Sequence, residues 1–152
     1  MASELGMLIK QLNVKEKRYS DYALRTLHER SKENADVYRY WSILEFKLLN
    51  RSSYQRKIGL ILLSANTKWD KENRLDLIIE DYLALANDEN FETALLCVQC
   101  LSEILPYKPQ LRDAIAQKLN ELDYTIWEEE QAQQIKNQID ELFASDAEHT
   151  MS

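Results

Sequence analysis

The 152 residues carry 19 Lys and Arg against 26 Asp and Glu, a net charge of −7, with only two Gly, two Pro and two Cys. That length suits one domain burying about 68–70% of its unfolded surface, and scarce Gly and Pro beside abundant Leu, Ile, Ala, Glu and Lys favour an all-helical chain. The acidic balance disfavours nucleic acid as a partner, two Gly leave no phosphate-cradling loop, and the longest uncharged apolar runs, 58–67 and 93–102, reach about half of a membrane span.

Eight amphipathic stretches follow in order. Glu4–Leu12 has Leu5, Leu8, Ile9 and Leu12 at helical spacing and ends at Asn13. Lys15–Lys32 carries Tyr19, Tyr22, Ala23, Thr26 and Leu27 on one stripe. A third helix runs to Leu49 with Val37, Tyr38, Trp41, Leu44, Leu48 and Leu49; Tyr40, Ile43 and Phe46 lie off that stripe, which predicts cover on more than one side. Ser52-Ser53-Tyr54-Gln55 has capping-box form and opens a helix to about Asn66. Gly59 in its middle costs about 1 kcal/mol relative to Ala, so close approach of a neighbouring helix is expected there. Asp70 is a candidate N-cap for a helix with Leu75, Ile78, Ile79, Tyr82, Leu83 and Ala86. Asn90 is the N-cap expected for Phe91–Leu105, and Pro109 starts the next helix, with Leu111, Ile115, Leu119 and Leu122 buried. Thr125-Ile126-Trp127-Glu128 reads as a second capping box before a helix with Ile135, Ile139, Leu142 and Phe143. The expected organisation is four antiparallel pairs in one domain, residues 1–145, with a frayed acidic tail at 146–152.

The middle of the chain repeats itself. At an offset of 37 residues Asn50 falls on Asn87, Tyr54 on Phe91, Ile58 on Leu95, Ile61 on Val98 and Asp76 on Asp113. A self-similar period of this length marks a stacked helical array, in which no unit buries its own apolar face alone. Asn50, Tyr54, Arg56 and Gly59 make the unit resemble a HEAT repeat, with Asn87 and Asp88 supplying the next turn and Thr93 standing where the family has Arg. The resemblance implies a right-handed α-α superhelix of about four helix pairs, with the second helix of each pair on a concave face. The stretch Arg51–Pro109, with Ser-Ala-Asn-Thr-Lys-Trp-Asp at 64–70 and Pro-Tyr-Lys-Pro at 106–109, is also similar to small bacterial helical proteins labelled SufBD. That label implies an accessory role in iron–sulfur cluster assembly.

Chemistry-bearing motifs are few. Cys97 and Cys100 form a CxxC about six residues into a helix, where the free N–H groups that stabilise a thiolate at a helix start are already used. With no other Cys, and His28 and His149 far away in sequence, they read as packed thiols rather than metal ligands. Asp76, Glu80 and Asp81 could share a helix face, and Glu128–Glu130 sits in a first helical turn. No catalytic residue, metal or cofactor is expected, and the chain reads as a non-enzymatic, cytoplasmic protein-binding scaffold. Outward candidates on the second helices are Arg18, Arg25, Arg56 and Lys57, then Glu92, Gln99 and Glu103, then Glu129 and Gln133. Their order follows the charge: residues 1–57 hold 12 Lys and Arg against 7 Asp and Glu, and residues 58–152 hold 7 against 19. A nucleic-acid site on the basic half is the alternative, tested by the salt dependence that phosphate contacts impose.

Overall fold

The computed structural model describes residues 3–151, with side chains through residue 147. It contains eight α-helices and, among the described residues, no strand. They are α1 (Glu4–Gln11), α2 (Lys17–Glu33), α3 (Trp41–Phe46), α4 (Ser53–Ala65), α5 (Arg74–Ala84), α6 (Phe91–Ile104), α7 (Arg112–Asn120) and α8 (Glu129–Met151). Short 3-10 turns extend several of them, so the third expected helix is three continuous pieces, Val37–Tyr40, α3 and Lys47–Leu49. The chain divides into two compact units, one through Glu72 and one from Asn73 onward.

In the first unit α1 packs on α2, α3 on α4, and α2 on α4. The α1 stripe is buried as its spacing requires, at Leu5, Leu8, Ile9 and Leu12. The α2 stripe is rotated from the expected one. Ser20, Ala23, Leu24, Leu27 and Ser31 face inward, while Tyr19 and Tyr22 are exposed. The hydroxyls of both serines donate to backbone carbonyls of their own helix, at Lys17 and Leu27, and the phenols keep their polar ends in water. Cover on more than one side of α3 is also not found: Val37, Trp41, Leu44 and Leu48 are buried, but Ile43, Phe46 and Leu49 are exposed. Gly59 does answer to a close approach. A Cβ there would meet the Leu44 carbonyl oxygen, the Leu48 side chain and Lys47 Cβ, each at 3.2 Å.

In the second unit the most extensive packing joins α6 to α8, and α6 also packs on the 3-10 turn Leu85–Asn87 that ends α5. Leu75, Ile79, Tyr82 and Leu83 of α5, Ala94, Val98 and Leu101 of α6, Ile115 and Leu119 of α7, and Ile135 and Leu142 of α8 are buried. Burial at helical spacing stabilises these helices more than propensity does, because helices of 9 to 14 residues are marginal alone. The helix α8 continues past Ala144 to Met151, and Asp146 is buried, with its carboxylate accepting from Arg112 Nε at 2.5 Å. His149 lies outside the described side chains.

Three expected caps differ. Asp70 does not cap α5; it is buried and accepts from the Tyr38 hydroxyl, while Asn73, left-handed at φ 56°, precedes the helix. Ser52 caps α4, but Gln55 does not reach back to it. Its amide instead accepts from Lys47 Nζ at 2.5 Å and donates to the Leu12 carbonyl at 2.9 Å. Thr125 sits in a 3-10 turn capped by Asp123, and at the start of α8 it is Gln131 that accepts from the Glu128 N–H. Asn90 caps α6 as expected, accepting from Thr93 N–H at 3.0 Å.

These caps also reset the repeat. Asn50 accepts from the N–H of Ser52, which then caps α4; Asp88 accepts from the N–H of Asn90, which then caps α6. The matching step is 38 residues rather than 37. Gly59 therefore corresponds to Cys97, Leu60 to Val98, Leu63 to Leu101 and Ile61 to the exposed Gln99.

Candidate functional site

The polar groups that hold each unit together are spaced by one repeat. In the first unit, side chain bonds join Tyr38 to Asp70, Lys47 to Asn13, Tyr54 to Asp21, Asn66 and Trp69 to Ser31, and Lys68 to Lys32, all 32 to 38 residues apart. In the second, Lys108 reaches Asn73, Gln110 reaches Asp76, Arg112 reaches Asp146, Asn87 reaches the Asp123 backbone, Trp127 reaches Asp88 and Gln99 reaches Gln138, 34 to 39 residues apart. Apart from Arg112–Asp146, which joins α7 to α8, these bonds link an element to the corresponding element one helix pair away. That is nearest-neighbour stacking written in hydrogen bonds.

On α2 and α4, one aromatic ring gathers charge from both helices. The Tyr54 hydroxyl donates to Asp21, and Lys17 and Lys57 each hold their ammonium 5.6 Å from the ring centre. Burial and the Asp21 carboxylate push the Tyr54 phenol above its ordinary value. Lys57 is exposed. Arg25 is exposed and has no ion-pair partner among the described residues. Arg18 is exposed but folded onto its own helix start, 3.4 Å from Glu16 and 4.7 Å from the Tyr19 ring centre. Arg56 is the exception. It is half-buried, and its Nη1 donates to the carbonyls of Asn50 and Arg51 at 2.9 Å each, closing the turn before α4. Its guanidinium is committed to the fold.

On α6 and α8 the corresponding surface is neutral to acidic. Glu92, Gln99 and Glu103 are exposed on α6, Gln99 donates to Gln138 of α8 at 3.5 Å, and Glu129 and Gln133 are exposed on α8. Between α7 and α8 lies a shallow groove of about 310 Å³, lined by Leu119, Tyr124, Lys136, Ile139, Asp140 and Phe143. Lys136 sits 4.8 Å from the Tyr124 ring centre, and burial with the Asp140 charge raises the Tyr124 phenol. A smaller cleft of about 190 Å³ is lined by Ser102, Leu105, Pro106, Leu142 and Asp146. Both are at or below the small end of ligand pockets.

The thiols are inward. Cys97 is fully buried and donates to the Tyr82 carbonyl at 3.4 Å, and Cys100 is buried one turn on. Burial first, then Cys100 and Asp88, raises the Cys97 thiol well above its ordinary value. A thiol so held is a poor nucleophile. No group of three or more His, Cys, Asp and Glu side chains placed to hold a metal ion occurs among the described residues. The acids Asp76, Glu80 and Asp81 separate: Asp76 meets Lys108 and Gln110, while Glu80 and Asp81 stay exposed.

Sequence reasoning missed two buried lysines, Lys47 and Lys108, because spacing alone places Lys on surfaces. Each lies near an Asn one repeat earlier, Asn13 and Asn73, a pairing visible only once the repeat step is known. It also missed the outward apolar residues of α3. No described helix is long and apolar enough to cross a membrane. In comparisons with known proteins, no family model, no curated protein and no solved structure matches this chain.

Proposed function

We propose that this chain is a HEAT-like helical-repeat protein, its helix pairs wound in a right-handed superhelix, that binds a protein partner through its second helices and catalyses nothing itself. The observation that carries the reading is the ladder of side chain bonds one repeat apart in both units. Such bonding spends the polar groups of the turns on stacking and leaves long helical faces as the recognition surface. The contact residues proposed are Arg18, Arg25 and Lys57 on the first unit and Gln99 and Glu103 on the second. Residues 1–72 hold 14 Lys and Arg against 9 Asp and Glu, and residues 73–152 hold 5 against 17. Fields of opposite sign orient an encounter more than they add affinity. A photo-crosslinking residue placed at Lys57, Gln99 or Glu103 is expected to capture the same partner in cell extract. Capture only from positions on α1, α3 or α5 contradicts the assignment.

The Lys17–Tyr54–Lys57 cluster supports one second reading, a nucleic-acid backbone site on the first unit. That reading requires a complex whose affinity falls steeply with salt. The expected result is no complex with single or double strands near physiological salt; a micromolar complex lost on reversing Lys17, Arg25 and Lys57 would establish it instead.

A further inference from the structure

The outward faces of the first helices differ from those of the second. Along α3 and its flanking turns, Ile43, Phe46 and Leu49 recur every third residue on the side opposite the buried Trp41, Leu44 and Leu48. Phe46 is 73% exposed and Leu49 67%. Arg39 lies one turn before Ile43 and Arg51 just beyond Leu49, both exposed and neither ion-paired among the described residues. This is an apolar stripe with a basic rim. On α5, Leu77 is 85% exposed, and it shares its face with Glu80, Asp81 and Ala84, all exposed. Glu80 and Asp81 have no ion-pair partner among the described residues. This is an apolar anchor with an acidic rim on its C-terminal side, and the half-buried Arg74 lies one turn before it. A contiguous apolar stripe rimmed by polar residues, such as that of α3, marks an interaction surface.

We propose that the α3 stripe of one copy docks on the α5 face of a second copy. One chain carries both halves of the contact: the basic-rimmed stripe of α3 and the acidic-rimmed anchor of α5. Phe46 and Leu77 would be the anchors, because exposed ion pairs contribute little and buried aromatic or aliphatic groups carry most interface energy. The charges set register, pairing Arg39 and Arg51 with Glu80 and Asp81. The net charge of −7 repels two copies at a distance, but at about 0.15 M salt that repulsion is largely screened beyond about 8 Å, which leaves the charges nearest the contact to act. The contact joins different surfaces, so it is heterologous.

Sedimentation velocity of the full chain up to about 1 mM, the range in which millimolar contacts register, tests this. Wild type should associate with rising concentration, and Phe46→Glu and Leu77→Glu should each weaken association at least about tenfold. Circular dichroism should stay unchanged, because both positions are exposed. The decisive arm mixes two charge-reversed proteins. Arg39→Glu with Arg51→Glu, and Glu80→Lys with Asp81→Lys, should each be monomeric alone; mixed, they should associate in equal proportions, since the mixture sets an intact α3 against an intact α5 and the two reversed faces also complement each other. A wild type that stays monomeric throughout, association that survives Phe46→Glu, or a mixture that fails to associate overturns the proposal. Flotation of wild type with anionic lipid vesicles, dependent on Phe46 and without self-association, would overturn it in favour of a membrane surface.

Discussion

Each unit buries one lysine across a helix-pair boundary, and the two are held differently. Lys47 of the first unit is 5% exposed and donates only to amide oxygens, Asn13 at 2.8 Å and Gln55 at 2.5 Å. Lys108 of the second is 3% exposed and has both an amide and a charge, Asn73 at 2.7 Å and Asp76 at 3.1 Å. The stacking geometry is alike, but only the second ammonium has a countercharge. A buried ion without a countercharge has only its hydrogen bonds to offset desolvation, whereas in a pair the mutual attraction offsets part of that cost and removing one partner leaves the other uncompensated. Burial accordingly lowers the Lys47 pKa.

The largest effect should come from breaking the charged pair. Lys108→Met leaves the Asp76 carboxylate, a quarter exposed, without its ammonium. Denaturant unfolding should register a loss of about 2–3 kcal/mol, below the range for a fully buried pair because of that exposure. A neutral result would mean that the two lysines are equivalent after all.

Gly59 and Cys97 occupy matching places in their helices, which makes a reciprocal test. Gly59→Ala forces a Cβ against three atoms at 3.2 Å and should cost about 1 kcal/mol despite its gain in helix propensity. Cys97→Gly removes a buried side chain and lowers propensity, and should cost about 2 kcal/mol. If either change is neutral, the 38-residue correspondence does not govern packing. The caps offer a finer contrast. Asn90→Ala should cost about 1 kcal/mol, and Ser52→Ala about half as much, since the Ser52 bond is long at 3.4 Å.

The smallest effect is expected at Lys47, and its sign is informative. Lys47→Met should change stability by less than about 1 kcal/mol near neutral pH, because lost hydrogen bonds and relieved desolvation oppose each other. The folded pKa is lowered, so the unfolded chain binds the proton more strongly. Stability from this group therefore rises with pH between the lowered folded value and the ordinary 10.5. Wild type minus Lys47→Met should show that rise as a difference in midpoint. A flat difference through that window would mean that the Lys47 ammonium is not desolvated by the fold.

Much of the fold was legible because eight helical periodicities and their turns are local properties. The buried stripes of α1 and α7 follow spacing alone, and Asn90 and Pro109 do what their chemistry dictates. What spacing cannot decide is which side of a polar-aromatic helix faces inward. On α2 the phenols Tyr19 and Tyr22 looked like core, and the small Ser20 and Ser31 took that place, each satisfying its buried hydroxyl on a backbone carbonyl of its own helix. Asp70 and Gln55 were assigned local capping roles and instead make bonds to residues 32 and 43 positions away. Arg56 looked like a contact residue for the same reason: its two carbonyl acceptors become visible only when the turn is built. The candidate surface was legible in its charge asymmetry, but not in the apolar residues of α3 and α5, whose exposure depends on the direction from which neighbours pack.

The comparison of a basic first unit with an acidic second one is tested most directly by association kinetics. With the partner captured through Lys57 or Glu103, its association rate should fall as salt rises. Lys57→Glu and Glu103→Lys should alter that rate and its salt dependence more than the dissociation rate. Unchanged association rates in both reversals, with binding abolished by substitutions on α1, α3 or α5, would contradict the assignment of recognition to the second helices.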